Sequence, residues 1–239
     1  MKLRLKSVSV RTALQSFSDP VKASILKKFF KTGPGEYGEG DLFIGVVVPD
    51  IRRVAKEYSR LPFQDILKLL KSSIHEERLC ALFILVSRYE YGTDEEQKQI
   101  YEMYLSHTRY INNWDLVDLT APKIVGAYAR TRGVLEDVYK LVQSKNLWER
   151  RIAVLACFYF IKNDDFKDTL KIAKILLKDS HDLIHKAVGW MLREVGKRDV
   201  VIEKTFLATY YKKMPRTMLR YAIERFPEVE RKQYLLGNM

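Results

Sequence analysis

Apolar residues recur every three or four positions along most of the chain, which is the period of an α-helix with one buried face. The clearest segments predict helices at 21–31, 63–73, 79–90, 96–110, 134–144 and 150–162. No stretch between them alternates cleanly at every second residue, as a half-buried strand does. The pattern therefore predicts an all-α fold.

Residues typical of helix starts support this prediction. Thr93 and Glu96 form a T-x-x-E capping box, in which side chain and backbone satisfy each other's hydrogen bonds. Pro20, Pro62 and Pro215 stand near other predicted starts, where the missing N–H of proline costs nothing. With only 11 glycines and 7 prolines, the sequence disfavours a β-sandwich with many turns.

Several of the apolar segments resemble one another and carry an alanine at the same place. These alanines are Ala81, Ala153, Ala187 and Ala222, at separations of 72, 34 and 35 residues. The midpoint of the long gap falls at residue 117, inside WDLVDLTA, and arginines accompany the repeat at Arg52, Arg78 and Arg150. A period near 35 predicts an α-solenoid of helix pairs, in which small residues let neighbouring helices approach. We expect a single domain over residues 1–239 with one extended concave face.

The segment GPGEYGEGDLFIG, residues 33–45, breaks the helical pattern and contains five glycines. It fits G-x-G-x-x-G, but it follows a predicted helix rather than a strand, which is the wrong setting for a dinucleotide site. Glu36, Glu39 and Asp41 would also repel phosphates. We interpret the segment as an ordered loop between the first two helices, and we expect no cofactor.

The charge balance points to a polyanionic partner. The chain has 42 Lys and Arg against 30 Asp and Glu, a net charge of +12 and a pI near 9.5. Residues 1–31 carry eight basic residues and a single acidic one, Asp19. Such a balance favours nucleic acid or an anionic membrane surface, although a generally basic surface is the simpler alternative. If the partner is nucleic acid, the affinity for duplex DNA should fall as the salt concentration rises.

Two features bear on the cellular compartment. No apolar run approaches the roughly 18 residues that cross a bilayer, and the N-terminus lacks a signal-peptide pattern. Cys80 and Cys157 lie in apolar stretches without a C-x-x-C motif, as expected for core residues of a reduced protein. We expect a cytoplasmic protein without membrane contact.

The histidines do not form a metal motif. His181 and His185 have helical spacing, but Asp182 replaces the glutamate of a zincin and no third ligand is evident. His75 and His181 occupy matching places in the repeat, which favours a structural or phosphate-facing role. No G-x-S-x-G nucleophile motif occurs. We expect no metal.

The segment 111–129 contains the strongest candidates for chemistry. Trp114 and Asp118 lie at i and i+4, so they share one face of a helix. Asp115 falls in the first turn, where a favourable interaction with the helix dipole explains it and its loss should cost only about 0.3–1 kcal/mol. Asp118 lies deeper in the helix. It is either paired with an arginine of an adjacent helix or a functional carboxylate.

Tryptophans recur on successive repeats at Trp114, Trp148 and Trp190, and the pair Arg150 and Arg151 follows the second of them. Tryptophan faces pack against sugars or bases, and arginines bind phosphates. On a basic solenoid, this combination favours a nucleic-acid site.

The motifs WDLVD (114–118), WERRIAVL (148–155) and VGWMLREVGK (188–197) resemble the AlkD-type HEAT-like-repeat DNA glycosylases, the DNA alkylation repair proteins. The resemblance covers roughly residues 15–230. It implies an α-solenoid of HEAT-like repeats whose basic concave face holds duplex DNA. It also implies excision of alkylated purines such as 3-methyladenine and 7-methylguanine, with the lesion left stacked in the duplex.

The resemblance assigns roles to individual residues. Asp118 matches the catalytic aspartate, and Trp114 and Trp190 match the tryptophans that flank the lesion. The phosphate-contacting arginine matches Arg151, with Arg150 as the alternative. We expect these side chains to converge on one surface of a monomer.

Two alternatives remain open. Residues 38–53, GEGDLFIGVVVPDIRR, resemble the pattern of a subgroup, and related proteins bind branched DNA without strong glycosylase activity. The first alternative to a glycosylase is therefore a non-catalytic binder of damaged or branched DNA. A protein–protein scaffold is the third possibility, because fold alone does not decide function.

Overall fold

The computed structural model describes residues 6–239, and its regular structure is helical. The α-helices are α1 (Ser7–Gln15), α2 (Pro20–Phe29), α3 (Val48–Glu57), α4 (Phe63–Leu70), α5 (His75–Tyr91), α6 (Asp94–Ser106), α7 (Trp114–Asp118), α8 (Ala127–Arg132), α9 (Leu135–Val142), α10 (Leu147–Lys162), α11 (Lys167–Ile175), α12 (Asp182–Arg198), α13 (Val200–Tyr210), α14 (Arg216–Ala222) and α15 (Glu228–Leu236). Within the described residues, β-type pairing is limited to one isolated bridge between Leu42 and Ile74. The all-α prediction is confirmed. None of the helices in this part of the chain is long and apolar enough to cross a membrane.

The residues that mark predicted helix starts lie at or next to the first residue of a helix, although α5 and α10 begin at His75 and Leu147, before the predicted residues 79 and 150. Thr93 caps α6, and its side chain accepts a hydrogen bond from the backbone N–H of Glu96. Pro20 is the first residue of α2, while Pro62 and Pro215 are the capping residues of α4 and α14.

The chain divides into two compact units, an N-terminal unit (Met1–Leu116) and a C-terminal unit (Val117–Met239). The expectation of one domain over residues 1–239, with a basic concave face, stays a prediction.

In the N-terminal unit, α5 is the central helix, and α3, α4 and α6 pack against it. The glycine-rich segment 33–45 lies between α2 and α3, so its predicted place between the first two helices is wrong by one helix. Gly45 at its end has a φ of +85°, and a Cβ there would lie 2.0 Å from the carbonyl oxygen of Asp19. Only glycine fits this approach of the segment to the start of α2.

In the C-terminal unit, α10, α12 and α14 pack in succession, each against the next. A π-helical turn (Pro122–Gly126) packs against α10. A Cβ at Gly126 would lie 2.3 Å from the Ala156 carbonyl oxygen, and one at Gly189 would lie 2.4 Å from that of Met218. Small residues therefore allow the close helix contacts that the repeat predicted. The repeat alanines Ala81, Ala153, Ala187 and Ala222 are all fully buried in their units.

Both cysteines are core residues, as predicted. Cys80 and Cys157 are free thiols, and burial raises the pKa of each to about 12. Neither thiol is poised to act as a nucleophile, because that role needs the thiolate.

Candidate functional site

The candidate residues fall on three helices. Trp114 and Asp118 are the first and last residues of α7. Arg150 and Arg151 lie in the first part of α10, and Trp190 lies in the middle of α12. Trp114 belongs to the N-terminal unit and the other four to the C-terminal unit. The convergence of all five on one surface stays a prediction.

Asp118 and Arg151 form a bidentate ion pair. Arg151 donates from Nε to Asp118 Oδ1 at 2.8 Å and from Nη2 to Oδ2 at 2.7 Å. The third guanidinium nitrogen, Nη1, donates to the backbone carbonyl of Leu183. The Asp118 side chain is 12% exposed and that of Arg151 is 6% exposed. This geometry fixes the carboxylate, and it agrees with both sequence-based readings of Asp118: a pair with a neighbouring arginine and a preoriented functional anion.

Arg150 makes different contacts. Its Nε donates to Asp179 Oδ2 at 2.6 Å, and its Nη1 donates to the Ser144 carbonyl at 2.9 Å. Arg78, which lies 72 residues earlier, donates from Nη1 to the Ser72 carbonyl at 3.0 Å in the same way. Arg150 is thus the repeat-equivalent of Arg78, and its contacts are those of the helix-pair scaffold.

Arg151 differs from its counterpart in α5. The residue 72 positions before it is Leu79, which is buried in the core of the N-terminal unit. The residues two places before Ala187 and Ala222 are His185 and Arg220, so a basic residue is common at this position of the repeat. Of the two arginines that sequence analysis left open, Arg151 is the one that contacts Asp118.

Burial separates the three tryptophans. Trp148 is buried, whereas Trp114 and Trp190 are partly exposed. Trp190 donates from Nε1 to Glu194 Oε1 at 3.0 Å, and its ring lies 5.9 Å from that of Phe158. The two tryptophans that the resemblance assigns to the DNA site are therefore the two whose side chains are partly exposed to solvent.

Asp115 has a larger role than its sequence position indicated. It lies in the first turn of α7, as predicted, but it is buried, and its Oδ2 lies 2.8 Å from His75 Nε2. The other ring nitrogen, Nδ1, lies 3.2 Å from Asp41 Oδ2, and Arg78 Nη2 lies 2.7 Å from Asp41 Oδ1. The interpretation of Asp115 as no more than a partner of the helix dipole is wrong, because it ends a buried chain of four charged groups.

This buried series of four charged groups also shows which of the predicted roles His75 and Asp41 have. His75 is 2% exposed, so of the two roles considered it has the structural one. Asp41, expected to repel phosphates from the glycine-rich segment, is instead buried between His75 and Arg78. Because both neighbours of the imidazole are carboxylates, the contacts of His75 favour the protonated ring, which donates from both nitrogens.

The pKa shifts agree with this charge arrangement. Burial on its own would lower the pKa of His75, but the Asp115 charge and hydrogen bonds to both carboxylates raise it. Burial would likewise raise the pKa of Asp41, but the His75 hydrogen bond and the Arg78 charge lower it. The stabilisation from His75 is complete below pH 6.5 and is lost as the pH rises through its folded pKa. That from Asp41 is complete above pH 3.8 and is lost as the pH falls through its folded pKa.

The other two histidines considered for chemistry serve the start of α12. His181 caps the helix by accepting the Leu183 N–H, and burial lowers the pKa of its ring. His185 Nε2 contacts the Asp179 carbonyl. Across residues 6–239, no group of three or more His, Cys, Asp or Glu side chains is arranged to hold a metal ion.

An apolar stripe on α2 was not predicted from the sequence. Val21, Ile25 and Phe29 follow each other at i+4 spacing and are 70%, 60% and 60% exposed. The Phe29 ring lies edge-on to Trp114 at 5.7 Å. Exposed lysines flank the stripe at Lys22, Lys27 and Lys28. The stripe therefore extends the surface around Trp114. The hydrophobic period predicts an apolar face on this helix, but it does not show whether another element covers that face. Of the eight basic residues noted in segment 1–31, Lys2 and Arg4 lie outside the described residues.

Comparison with known proteins gives a consistent result. The sequence profile described as "DNA alkylation repair enzyme" matches residues 10–226. No curated protein sequence matches this chain.

Three solved structures share its fold. A predicted DNA alkylation repair enzyme from Enterococcus faecalis is 16% identical, with a TM-score of 0.67 over 88% of this chain and 97% of its own. The protein smu.31 from Streptococcus mutans UA159 is 18% identical, with a TM-score of 0.55 over 93% and 99%.

The third is AlkD2 from Streptococcus mutans, which is 16% identical with a TM-score of 0.55 over 93% of this chain and 97% of its own. At these identities the likeness shows the fold, while the family profile spans nearly the whole sequence, including the segments that carry WDLVD, WERRIAVL and VGWMLREVGK. The chain belongs to the DNA alkylation repair enzyme family.

Proposed function

We propose that this protein is a DNA glycosylase that excises positively charged alkylated purines, such as 3-methyladenine and 7-methylguanine, from duplex DNA. Family membership supports a role in the repair of alkylated DNA. The observation that carries the specific reaction is the bidentate pair of Asp118 and Arg151, which holds a largely buried carboxylate in one position.

The reaction suits a single carboxylate. An alkylated purine already carries a positive charge, so the electron pair of its broken N-glycosidic bond neutralises the base without a proton from the protein. The deoxyribose becomes an oxocarbenium cation, which the Asp118 anion stabilises. A water oxygen then bonds to the anomeric carbon, and the proton that it loses passes to Asp118 or solvent. The reaction needs no cofactor or metal.

Arg151 has two tasks in this proposal. Its two hydrogen bonds hold both oxygens of Asp118 in place, so the carboxylate does not reorganise as the cation forms. The resemblance also assigns its guanidinium, which is 6% exposed, to a backbone phosphate beside the lesion. Trp114 and Trp190 contact the deoxyribose on either side of the lesion, which stays stacked in the duplex.

The test is the release of methylated bases from alkylated duplex DNA by the wild-type protein, Asp118→Asn and a matched control. Asp118→Asn keeps the shape of the side chain and removes its charge, so the excision rate should fall about 10²–10³-fold. Its affinity for the duplex should stay nearly unchanged, because the lost interaction exists only in the transition state.

Asp179→Asn is the control, since Asp179 pairs with Arg150 in the same unit and its side chain is also largely buried. Asp179→Asn should lower the stability of the fold about as much as Asp118→Asn does, and it should keep the wild-type excision rate. Equal rates for wild type and Asp118→Asn would refute the assignment of Asp118.

The alternative is a non-catalytic binder of damaged or branched DNA. It is favoured by the occupation of both Asp118 oxygens by Arg151, which a purely structural ion pair would also show. Salt-sensitive duplex binding by the wild type without any release of base would establish this alternative.

A further inference from the structure

The first four residues of α5 connect separate parts of the N-terminal unit. All four side chains are buried, and each is held by partners outside its helix. His75 contacts Asp41 and Asp115; Glu76 accepts from the backbone N–H groups of Ile44, Gly45 and Val46; Glu77 pairs with Arg11; Arg78 contacts Asp41 and the Ser72 carbonyl. This helix start therefore fastens the glycine-rich segment, α1 and α7 to one another.

His75 is the connection to α7, and it reaches that helix by two routes. Its Nε2 donates to Asp115, the second residue of α7. Its ring lies 5.0 Å from Phe30, whose ring stacks on Trp114, the first residue of α7, at 5.1 Å. Phe43 covers the imidazole at 4.6 Å. Both routes end on the residues that begin α7.

The short length of α7 makes these contacts decisive. A helix of five residues has no stability of its own, because helices shorter than about 12 residues are marginal without outside contacts. Its direction must come from the groups that hold its ends. The side chains of Trp114 and Asp118 are set by that direction, because one turn of helix separates them.

We propose that His75 is a positioning residue, which fixes the start of α7 through Asp115 and Phe30 and so orients Trp114 and Asp118. The inference rests on the proposed function where it concerns Asp118 and excision. The charged groups that face the imidazole are Asp41 from the glycine-rich segment, Asp115 from α7 and Arg78 from α5.

The first measurement is single-turnover excision by wild type, His75→Gln and His107→Gln, each well below its own melting temperature. His75→Gln should be about 10- to 100-fold slower, since displacing a catalytic group by about 1 Å costs about 10²-fold. Its duplex affinity should fall much less, because phosphate contacts dominate binding. A residue that only stabilised the fold would not change the rate of protein that is still folded.

His107→Gln is the matched control. His107 follows α6 in the same unit, and its ring contacts the Met103 carbonyl and the adjacent Ser106 rather than α7. This variant should excise at the wild-type rate. If His75→Gln does not fold, Asp115→Asn weakens the same contact from the other side by removing its charge, keeps the shape of the side chain, and should slow excision in the same direction.

The second measurement needs no excision. The indole N–H resonance of Trp114, identified by its loss in Trp114→Phe, should shift or broaden in His75→Gln and stay in place in His107→Gln. The resonances of Trp148 and Trp190 should not move in either variant.

The outcomes separate the two proposals. If the wild type excises bases and both His75→Gln and Asp115→Asn excise them at the same rate, the positioning role is overturned and the glycosylase proposal stays intact. A wild type that releases no base would refute the glycosylase proposal. In that case the Trp114 resonance is the remaining test of the positioning role, and an unchanged resonance in His75→Gln would overturn that role as well.

Discussion

The first turns of α5 and α10 lie 72 residues apart and share an arginine, Arg78 in one and Arg150 in the other, but they differ at the next position. In α5 that position holds Leu79, which packs in the core. In α10 it holds Arg151, which pairs with Asp118. The shared arginine binds the carbonyl of a serine six residues earlier in both helices, whereas the differing residue joins α10 to the end of α7.

The largest combined effect on stability and excision should come from placing the residue of α5 at the same position in α10. Arg151→Leu leaves the Asp118 carboxylate largely buried without its arginine, so it should lower both stability and excision. Breaking a buried pair by removing one partner costs about 3–5 kcal/mol, and the partial exposure of Asp118 places this case at or below the lower end. Urea denaturation and base release measure the two losses.

The double variant Arg151→Leu with Asp118→Leu separates the two roles of the pair. Replacing both charges by apolar groups should recover most of the stability, because no unpaired charge remains. Excision should stay absent. A double variant that excises at the wild-type rate would show that the pair serves only the scaffold.

Arg78→Met and Arg150→Met compare the shared arginine in its two settings. The side chains of Arg78 and Asp41 are both about 4% exposed, whereas that of Arg150 is 16% exposed. Loss of Arg78 should therefore cost about 3–5 kcal/mol and loss of Arg150 about 1–3 kcal/mol in urea denaturation. Normal folding of Arg150→Met with a lost affinity for duplex DNA would instead make Arg150 the phosphate contact.

Glu203 sharpens the comparison from another side, since the buried acids of α5 are held by partners outside their helix, whereas one carboxylate oxygen of this residue in α13 has no hydrogen-bond partner. Its Oε1 has no hydrogen-bond partner, and burial raises its pKa to about 8. The folded protein thus binds a proton between pH 4.5 and 8 that the unfolded chain releases. Stability should fall as the pH rises through this window, by up to about 1.4 kcal/mol per pH unit.

Thermal melting of wild type and Glu203→Gln at pH 5 and pH 7.5 checks this slope. The variant should be less sensitive to the rise in pH than the wild type. Glu228→Gln is the control, because Glu228 is exposed on α15 and pairs only with Lys232 across one turn. Parallel behaviour of wild type and Glu203→Gln would show that Glu203 is ionised in the folded protein.

The sequence was sufficient for the fold class and for one contact of the candidate site, for identifiable reasons. The helical period and the repeated alanines are local or evenly spaced signals, so they predicted the all-α fold and the close packing of its helices. The place of Asp118 inside WDLVD offered a pair with an arginine of an adjacent helix as one of two readings, and the structure shows this pair with Arg151. The catalytic role of Asp118 came from the resemblance and stays a proposal.

The remainder depended on contacts without a local pattern. His75 lies 34 residues from Asp41 and 40 from Asp115, and no spacing rule connects such positions. Asp115 had a sufficient explanation in the helix dipole, which concealed its buried partner. The uncovered stripe of α2 was missed for a different reason, since amphipathic spacing identifies an apolar face without showing whether another element covers it.

The placement of the two cysteines has a practical consequence. Cys80 lies in the N-terminal unit and Cys157 in the C-terminal unit, and both thiols are sealed in the core. A thiol reagent can reach either one only when the surrounding helices open, so the labelling rate of each sulfur reports the opening free energy of its own unit. The native chain thus carries one chemical reporter for each half. Mass spectrometry of the labelled peptides would measure whether DNA binding closes one half, the other or both, without any engineered probe.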